Sequence, residues 1–472
     1  MEDQFTNNPG ENIQEAVDTY TETNQDKTPS QEFITPKQIS NIINKLPNGK
    51  APGHDNITNK ALKNLPNNIL TQLAHIFTAC LRVAYFPKTW KRAIIIMIPK
   101  PGKNHSKPES HRPISLLPTM SKLFEKLVLK SLQKCIKPRP EQHAFREGHS
   151  TTTQLVQLFK DLKNNKSEKK YTAATFLDIE KAFDRVWHMG LIHKLNKNTD
   201  LPNYTVKLIK SFLTGRSFQI RVDDQLSTER TIQAGVPQGS CLSPILYTHY
   251  INDLPLHPQV KTSIFADDTM FHAAHRNKRY AISHLQKQIN LTLDWTDKWR
   301  LKINAAKTES IIFGGKPTKT KITVRNQTTN WKNKVKYLGI TIDSKLHMHQ
   351  HVKIATQKAK GARTSLYPIL NNKSPIPLKT KIQIYNMYIK PIILYGSVAW
   401  APQISKSSLK KMEVVQNTTL RQITGMHYLT RNEAIQRSAN LEPLSVTIKH
   451  ATQTFYYKAS ISRYQHIQKL SA

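Results

Sequence analysis

Acidic side chains are scarce in this chain: 32 Asp and Glu stand against 70 Lys and Arg in 472 residues, a formal net charge of +38. Such an excess points to a polyanionic partner, nucleic acid first. Eight of the acids (Glu2, Asp3, Glu11, Glu15, Asp18, Glu22, Asp26, Glu32) crowd into residues 1–36 beside one base, Lys27, so the basic charge belongs to the rest of the chain. Cysteine is rarer still. Cys80, Cys135 and Cys241 are too few and too scattered for a disulfide framework or a Cys/His zinc site, which fits a reducing compartment. The start, Met1-Glu2-Asp3-Gln4, lacks the apolar core of a signal peptide. No apolar run approaches the ~20 residues of a membrane span. The longest candidate, Ala93 to Ile98, reads as a buried strand. An intracellular protein is expected, nuclear or cytoplasmic and not secreted, with no membrane partner.

The length suits roughly three domain-sized units. Residues 1–36 are rich in Asn, Thr, Gln and Glu and carry few large apolar side chains, so they read as a disordered acidic, polar tail. A helix is expected from Thr35-Pro36, with Ile39, Ile42, Ile43 and Leu46 at helical spacing. Asn48 to Asp55 is a Gly/Pro-punctuated loop carrying Lys50. The strand ending near Ile98 runs into a turn studded with bases, and His111 to Pro118 is a second such segment. Lys100, Lys103 and Arg112 lie at the ends of these apolar runs, where a rigid scaffold presents cations to phosphate, although a solvated strand end looks the same. Helices are expected over Ser121 to Leu132 and Ser150 to Leu162. Beyond Leu346 the chain reads as basic helices: Val352 to Ser365, Leu378 to Leu394, Ser408 to Thr424 and Val446 to Leu470. Bases on such helices suit a grip on duplex phosphates, which is salt-dependent.

Chemistry concentrates at three places. Lys261–Phe265 and Thr269–Ala273 flank Ala266-Asp267-Asp268 as the arms of a hairpin. Adjacent carboxylates repel one another, and a divalent cation would neutralise them, although solvated turns also favour Asp. Upstream, Ala173 to Ile179 is an apolar strand carrying Asp178, followed by Glu180 to Trp187 entering a helix. If that strand neighbours the hairpin, three carboxylates converge, and two Mg²⁺ about 3.5–4 Å apart can be held between them. Between the two lies Gly235-Val236-Pro237-Gln238-Gly239-Ser240-Cys241-Leu242-Ser243-Pro244, a shaped loop with little side-chain bulk, then an apolar helix from Ile245 to Asp253.

In that order, Phe176-Leu177-Asp178-Ile179-Glu180-Lys181-Ala182-Phe183-Asp184, Gly235-Val236-Pro237-Gln238-Gly239-Ser240 and Phe265-Ala266-Asp267-Asp268 resemble motifs A, B and C of reverse transcriptases, closest to the jockey-like group of non-LTR (LINE-type) retrotransposons. Lys50 to Asp55 resembles the group's N-terminal motif, and Ile98 to Lys103 with Arg112 to Leu117 its fingers motifs. Leu301 to Thr308 resembles motif D, Lys336 to Ile340 motif E, and Tyr395-Gly396 to Trp400 the thumb.

The resemblance implies an α+β right-hand polymerase. Fingers with an N-terminal extension would occupy 37–170, an antiparallel-sheet palm 171–345, and a helical basic thumb and C-terminal region 346–472. It implies RNA-directed DNA polymerase activity, with an RNA template, a DNA primer or duplex and dNTPs as partners. Asp178, Asp267 and Asp268, helped by the carbonyl of Ile179, would ligate two Mg²⁺, for which Mn²⁺ could substitute. Lys100 and Arg112 would contact the triphosphate, and Phe183 would crowd a 2′-hydroxyl. Gln238 and Gly239 would line the nucleotide pocket, and Lys307 would be a possible general acid for pyrophosphate. Full-length elements of the group carry an endonuclease upstream, which the polar stretch before the polymerase does not resemble, and Ala144 stands where the pattern often has Gly. A truncated copy or separated fragment is therefore expected. A catalytically inactive nucleic-acid-binding remnant, an RNA polymerase sharing the palm and a basic structural protein are the rival readings. The intact acids oppose the first and third, and the bulk of Phe183 opposes the second.

Overall fold

The computed structural model describes residues 5–6, 32–102 and 104–471. Its strands are β1 (Arg92–Pro99), β2 (His111–Leu116), β3 (Tyr171–Asp178), β4 (Arg216–Val222), β5 (Gln225–Leu226), β6 (Arg230–Ile232), β7 (Val260–Phe265), β8 (Asp268–His275), β9 (Glu309–Phe313), β10 (Ile322–Val324), β11 (Gln327–Thr329), β12 (Trp331–Lys332), β13 (Lys334–Tyr337) and β14 (Ile340–Asp343). Two compact units share them. The first is built from Met1–Phe145, Asp178–Pro255 and Asn290–Asn304, the second from Arg146–Leu177, Leu256–Ile289 and Ala305–Ala472.

In the first unit, β1 pairs antiparallel with β2 and parallel with β4, which carries β5 and β6. Ala93 and Ile95 of β1 bury with Phe218 and Leu117, but Ile98 is largely exposed, so the expected buried strand is buried only in its first half. Most of the expected tail lies outside the described residues. Of the part described, Phe5 packs its ring 5.2 Å from that of Phe218. A helix begins at Pro36 as expected, because the Thr35 hydroxyl accepts from the Gln38 N–H while the Gln38 side chain accepts from the Thr35 N–H. An aromatic cluster closes the unit: Phe86 lies 5.1 Å from Phe212, 5.6 Å from Phe124 and 5.8 Å from Trp90, ring centre to ring centre.

The second unit holds the sheet β12-β9-β3-β8-β7. Antiparallel pairing runs from Thr172↔Phe313 to Phe176↔Glu309 and from Val260↔Ala273 to Phe265↔Asp268; the short β12 joins β9 in parallel. The helix Thr151–Ser167, capped by the Ser150 hydroxyl, brings Leu155 and Leu158 into one core with Ala174 and Met270 of the sheet. Trp400 and Met412 of the C-terminal helices enter the same core. The third basic helix spans Lys406–Thr424 and stops at Gly425, whose φ of 74° is left-handed. The expected helix Leu378 to Leu394 is interrupted by a π-turn at Tyr385–Ile389 just before Pro391, which has no N–H to continue the ladder. The last one divides into Leu444–Ser460 and Gln465–Gln468. Among the described residues no helix is long and apolar enough to cross a membrane.

Phe86 is 1 % exposed and surrounded by rings that cannot collapse into the space it would leave. Phe86→Ala is expected to destabilise the chain by about 3–5 kcal/mol, read as a lower urea midpoint with an unchanged slope.

Candidate active site

Asp267 and Asp268 sit at the tip of the β7–β8 hairpin. The pair Phe265↔Asp268 closes a two-residue loop, Ala266-Asp267. The favoured two-residue turns need a positive φ at their first position, where glycine is usual. Here Ala266 takes it, at φ 59°, and is buried as well. A left-handed alanine costs about 1–2 kcal/mol. Both carboxylates of the tip are exposed, while Ile264, Thr269 and Met270 behind them are buried.

The strand β3 lies between β9 and β8 in the sheet and ends at Asp178, which is half-buried. Beyond it Ile179 bridges Ile303 antiparallel: the Asn304 N–H donates to the Asp178 carbonyl at 2.8 Å, and the Glu180 N–H donates to the Lys302 carbonyl at 2.8 Å. This bridge uses the carbonyl of Asp178 and leaves that of Ile179 out of it. The segment Glu180 to Trp187 leads into a helix, as expected, but reaches it through turns. Residues 180–185 are turns, Lys181 is left-handed at φ 48°, and a helix starts only at His188. The reason is competition for backbone acceptors: the Phe183 carbonyl takes the Val236 N–H and the Val186 carbonyl takes the Gly235 N–H, both at 2.8 Å.

That competitor is the Gly/Pro loop. Gly235, at φ 92°, runs so close to the chain that a Cβ there would lie 2.7 Å from the Asp184 carbonyl oxygen, and Gly239, at φ 133°, leaves no room for a Cβ beside Ser115. The Ser115 N–H donates to the Gln238 carbonyl at 2.8 Å, joining the loop to β2. Glu125, with no exposed surface, accepts from the Ser240 hydroxyl at 2.6 Å, the Cys241 N–H at 2.7 Å and the Ser121 hydroxyl at 2.8 Å. The fully buried Arg216 feels the same carboxylate; burial lowers its pKa to about 10, and Glu125 opposes that fall.

Phe183 is half-buried, stacked on Tyr247 with ring centres 4.5 Å apart and edge-on to Phe145 at 6.0 Å. Its neighbour Asp184 is buried and accepts from Gln238 Nε2 at 2.8 Å. Burial pushes the Asp184 carboxyl up to about 6, against the pull of the Gln238 bond and of Lys181, Arg185 and Lys100. Lys100 follows β1 and its N–H donates to the Ser110 carbonyl at 2.8 Å; Arg112 is exposed on β2 opposite Ile98. The first unit therefore brings Phe183, Gln238, Gly239 and Lys100 to one neighbourhood. Lys103 lies outside the described residues. Lys307 is exposed in the short turn Ala305–Lys307 and belongs to the second unit.

Asp184 and Glu125 received no role from the sequence. Their signal was present in both cases: an acid between apolar residues, Ala182-Phe183 before it and Val186-Trp187 after Arg185, and an acid on the apolar face of the helix Thr119–Cys135. The donors at the hairpin and at the end of β3 are hard oxygens, which suit Mg²⁺. Among the described residues, however, no three His, Cys, Asp or Glu side chains are gathered as a ready-made metal site.

An antiparallel sheet carrying an acid-tipped hairpin, and a glycine- and proline-shaped loop pinned by buried hydrogen bonds, are the parts of a right-hand polymerase. Residues 98–342, more than half of the chain, match the family described as reverse transcriptase (RNA-dependent DNA polymerase), and the chain belongs to it. It is 37 % identical over 437 residues to a probable RNA-directed DNA polymerase from transposon BS of Drosophila melanogaster, covering 89 % of this chain and 48 % of that protein. Identity is 35 % with the X-element protein of the same fly, over 89 % of this chain and 47 % of that protein. With the RNA-directed DNA polymerase from its mobile element jockey it is 34 %, over 98 % of this chain and 52 % of that protein. The likeness to the jockey-like group is thus borne out, and the chain spans about half the length of these relatives.

The Asp184 shift fixes a pH dependence. Below about 3.8 the carboxyl is protonated whether the chain is folded or not, and nothing is lost; as pH rises through about 6 the folded chain must bury a charge. The shift of about 2 units makes wild type lose about 3 kcal/mol across that window relative to Asp184→Asn, which keeps an acceptor for Gln238 and has nothing to titrate. Urea unfolding of both proteins at about pH 4 and about pH 7 measures the difference; parallel behaviour of the two would refute it.

Proposed function

We propose that this chain catalyses RNA-templated DNA synthesis, adding dNTPs to a primer 3′-hydroxyl. The observation that carries the reading is the order of one sheet: β3, which ends on Asp178, is hydrogen-bonded to β8, which begins on Asp268. Asp178, Asp267 and Asp268, with the Ile179 carbonyl, would hold two Mg²⁺, or Mn²⁺ in their place. When bound, two such ions supply activation of the attacking hydroxyl and neutralisation of the charge on the departing pyrophosphate.

The remaining work falls to the chain itself. Lys100 and Arg112 reach the triphosphate. The Phe183 ring, stacked on Tyr247, has no freedom to retreat from a 2′-hydroxyl and so selects deoxynucleotides. Gln238 and Gly239 line the pocket in which the nucleotide meets the template. Lys307 donates a proton to the leaving pyrophosphate. The basic C-terminal helices hold the RNA template and DNA primer through phosphate contacts, so binding weakens as salt rises.

Primer extension on an RNA template tests the reading. Wild type with Mg²⁺ and dNTPs is expected to elongate a DNA primer, and Asp267→Asn at matched RNA affinity is expected to add nothing. A folded wild type that binds primer–template yet adds no nucleotide would leave a binding remnant of the family. Replacing the gate, Phe183→Val, is expected to raise ribonucleotide use relative to dNTPs by about tenfold or more, measured as the ratio of the two kcat/KM values.

A further inference from the structure

The loop Gly235–Cys241 has most of its polar backbone committed. Gly235 donates to Val186 and accepts from the His188 ring, Val236 donates to Phe183, and the Pro237 carbonyl takes the Ser243 hydroxyl. The Gln238 carbonyl takes the Ser115 N–H, and Cys241 donates to Glu125. At the apex, Pro237-Gln238-Gly239, the longest side chain is that of Gln238, which is half-buried. One end of it is already held, by the buried Asp184 at 2.8 Å.

The chemistry of that bond decides how the amide faces. A glutamine carboxamide has a donor end and an acceptor end, and by itself it can turn over. A carboxylate only accepts, so it takes the Nε2 end and turns Oε1 and the second N–H of Nε2 away from itself. Asp184 is itself held in place: it is buried, and the nearby carbonyls of Phe183 and Val186 are bonded to the loop. The group that orients Gln238 is thus fixed to the same loop that carries Gln238.

We propose that Asp184 is a positioning residue for nucleotide binding, which holds the Gln238 carboxamide in the one orientation that presents its acceptor oxygen to the incoming nucleotide. This rests on the reading of Gln238 as part of the nucleotide pocket. Asp184 would touch no substrate; it would act only through Gln238.

A double-mutant cycle with a substrate-binding readout tests it. The affinity of dNTP for the enzyme on primer–template is measured with Ca²⁺ in place of Mg²⁺, so that no turnover is needed, beside KM and kcat for extension with Mg²⁺. Gln238→Ala and Asp184→Leu are each expected to weaken dNTP binding and raise KM by about tenfold, with kcat changed far less. In the Gln238→Ala background the further change Asp184→Leu is expected to have no effect on dNTP affinity. Asp184→Asn, which retains an acceptor, is expected to stay within about threefold of wild type. Equal losses from Asp184→Leu in both backgrounds, or a folded Asp184→Leu with wild-type dNTP affinity, would overturn the proposal. Should Asp184→Leu fail to fold, Asp184→Ala, which also removes the acceptor, takes its place in the same cycle and is read in the same two backgrounds. A wild type that binds dNTP but does not extend removes the catalytic reading and leaves the cycle readable by affinity. One that binds no dNTP removes both.

Discussion

A carboxylate without solvent is costly unless donors replace the water it has lost, and Glu125 finds three. Two of them, the Ser240 hydroxyl and the Cys241 N–H, belong to the Gly/Pro loop, so the charge on a helix far away in sequence settles where that loop can lie. The rest of the loop depends on this anchor. Its glycines allow it to press against the backbone at Asp184 and Ser115, and its backbone donors take the carbonyls of Phe183 and Val186. The segment 180–187 approaches the helix at His188 through turns, with Phe183 and Asp184 beside the loop.

The acids of this chain therefore fall into two physical kinds. Glu125 and Asp184 are buried and spend their charge on hydrogen bonds within the protein. Asp267 and Asp268 are exposed, beside strand residues Ile264, Thr269 and Met270 that are buried. A chain with so few acids uses them at points where a charge matters. Ala266 shows the same economy in the backbone, since a left-handed conformation is tolerated where the hairpin must turn in two residues.

Much of this was legible in the residues. Apolar runs located β3 and the β7–β8 hairpin, and period-3.6 patterns the helices near residues 36, 119, 151 and 349, to within a few positions, because the strands are buried along most of their length and each helix buries one face. The hairpin acids stood out because Asp-Asp between apolar arms is hard to explain otherwise. What stayed hidden depends on partners remote in sequence. The turns at 180–185 that precede the helix at His188 are bonded to donors at Gly235 and Val236 through Phe183 and Val186. The importance of Asp184 and Glu125 is decided by Gln238 and Ser240, and nothing in local propensity reports an anchor 54 or 115 residues away. The break in the helix before Pro391 was the opposite case, a local signal outweighed by a long apolar pattern.

The two compact units are interleaved, since the chain leaves one for the other after residues 145, 177, 255, 289 and 304. No single cut can release either as an intact piece. During synthesis the first unit cannot be completed until Asn304 has emerged, and the second must wait for the C-terminal helices; until then β1 and β3 are apolar strands lacking part of the structure that covers them. Chains stalled before residue 304 would thus expose apolar surface that the finished first unit covers.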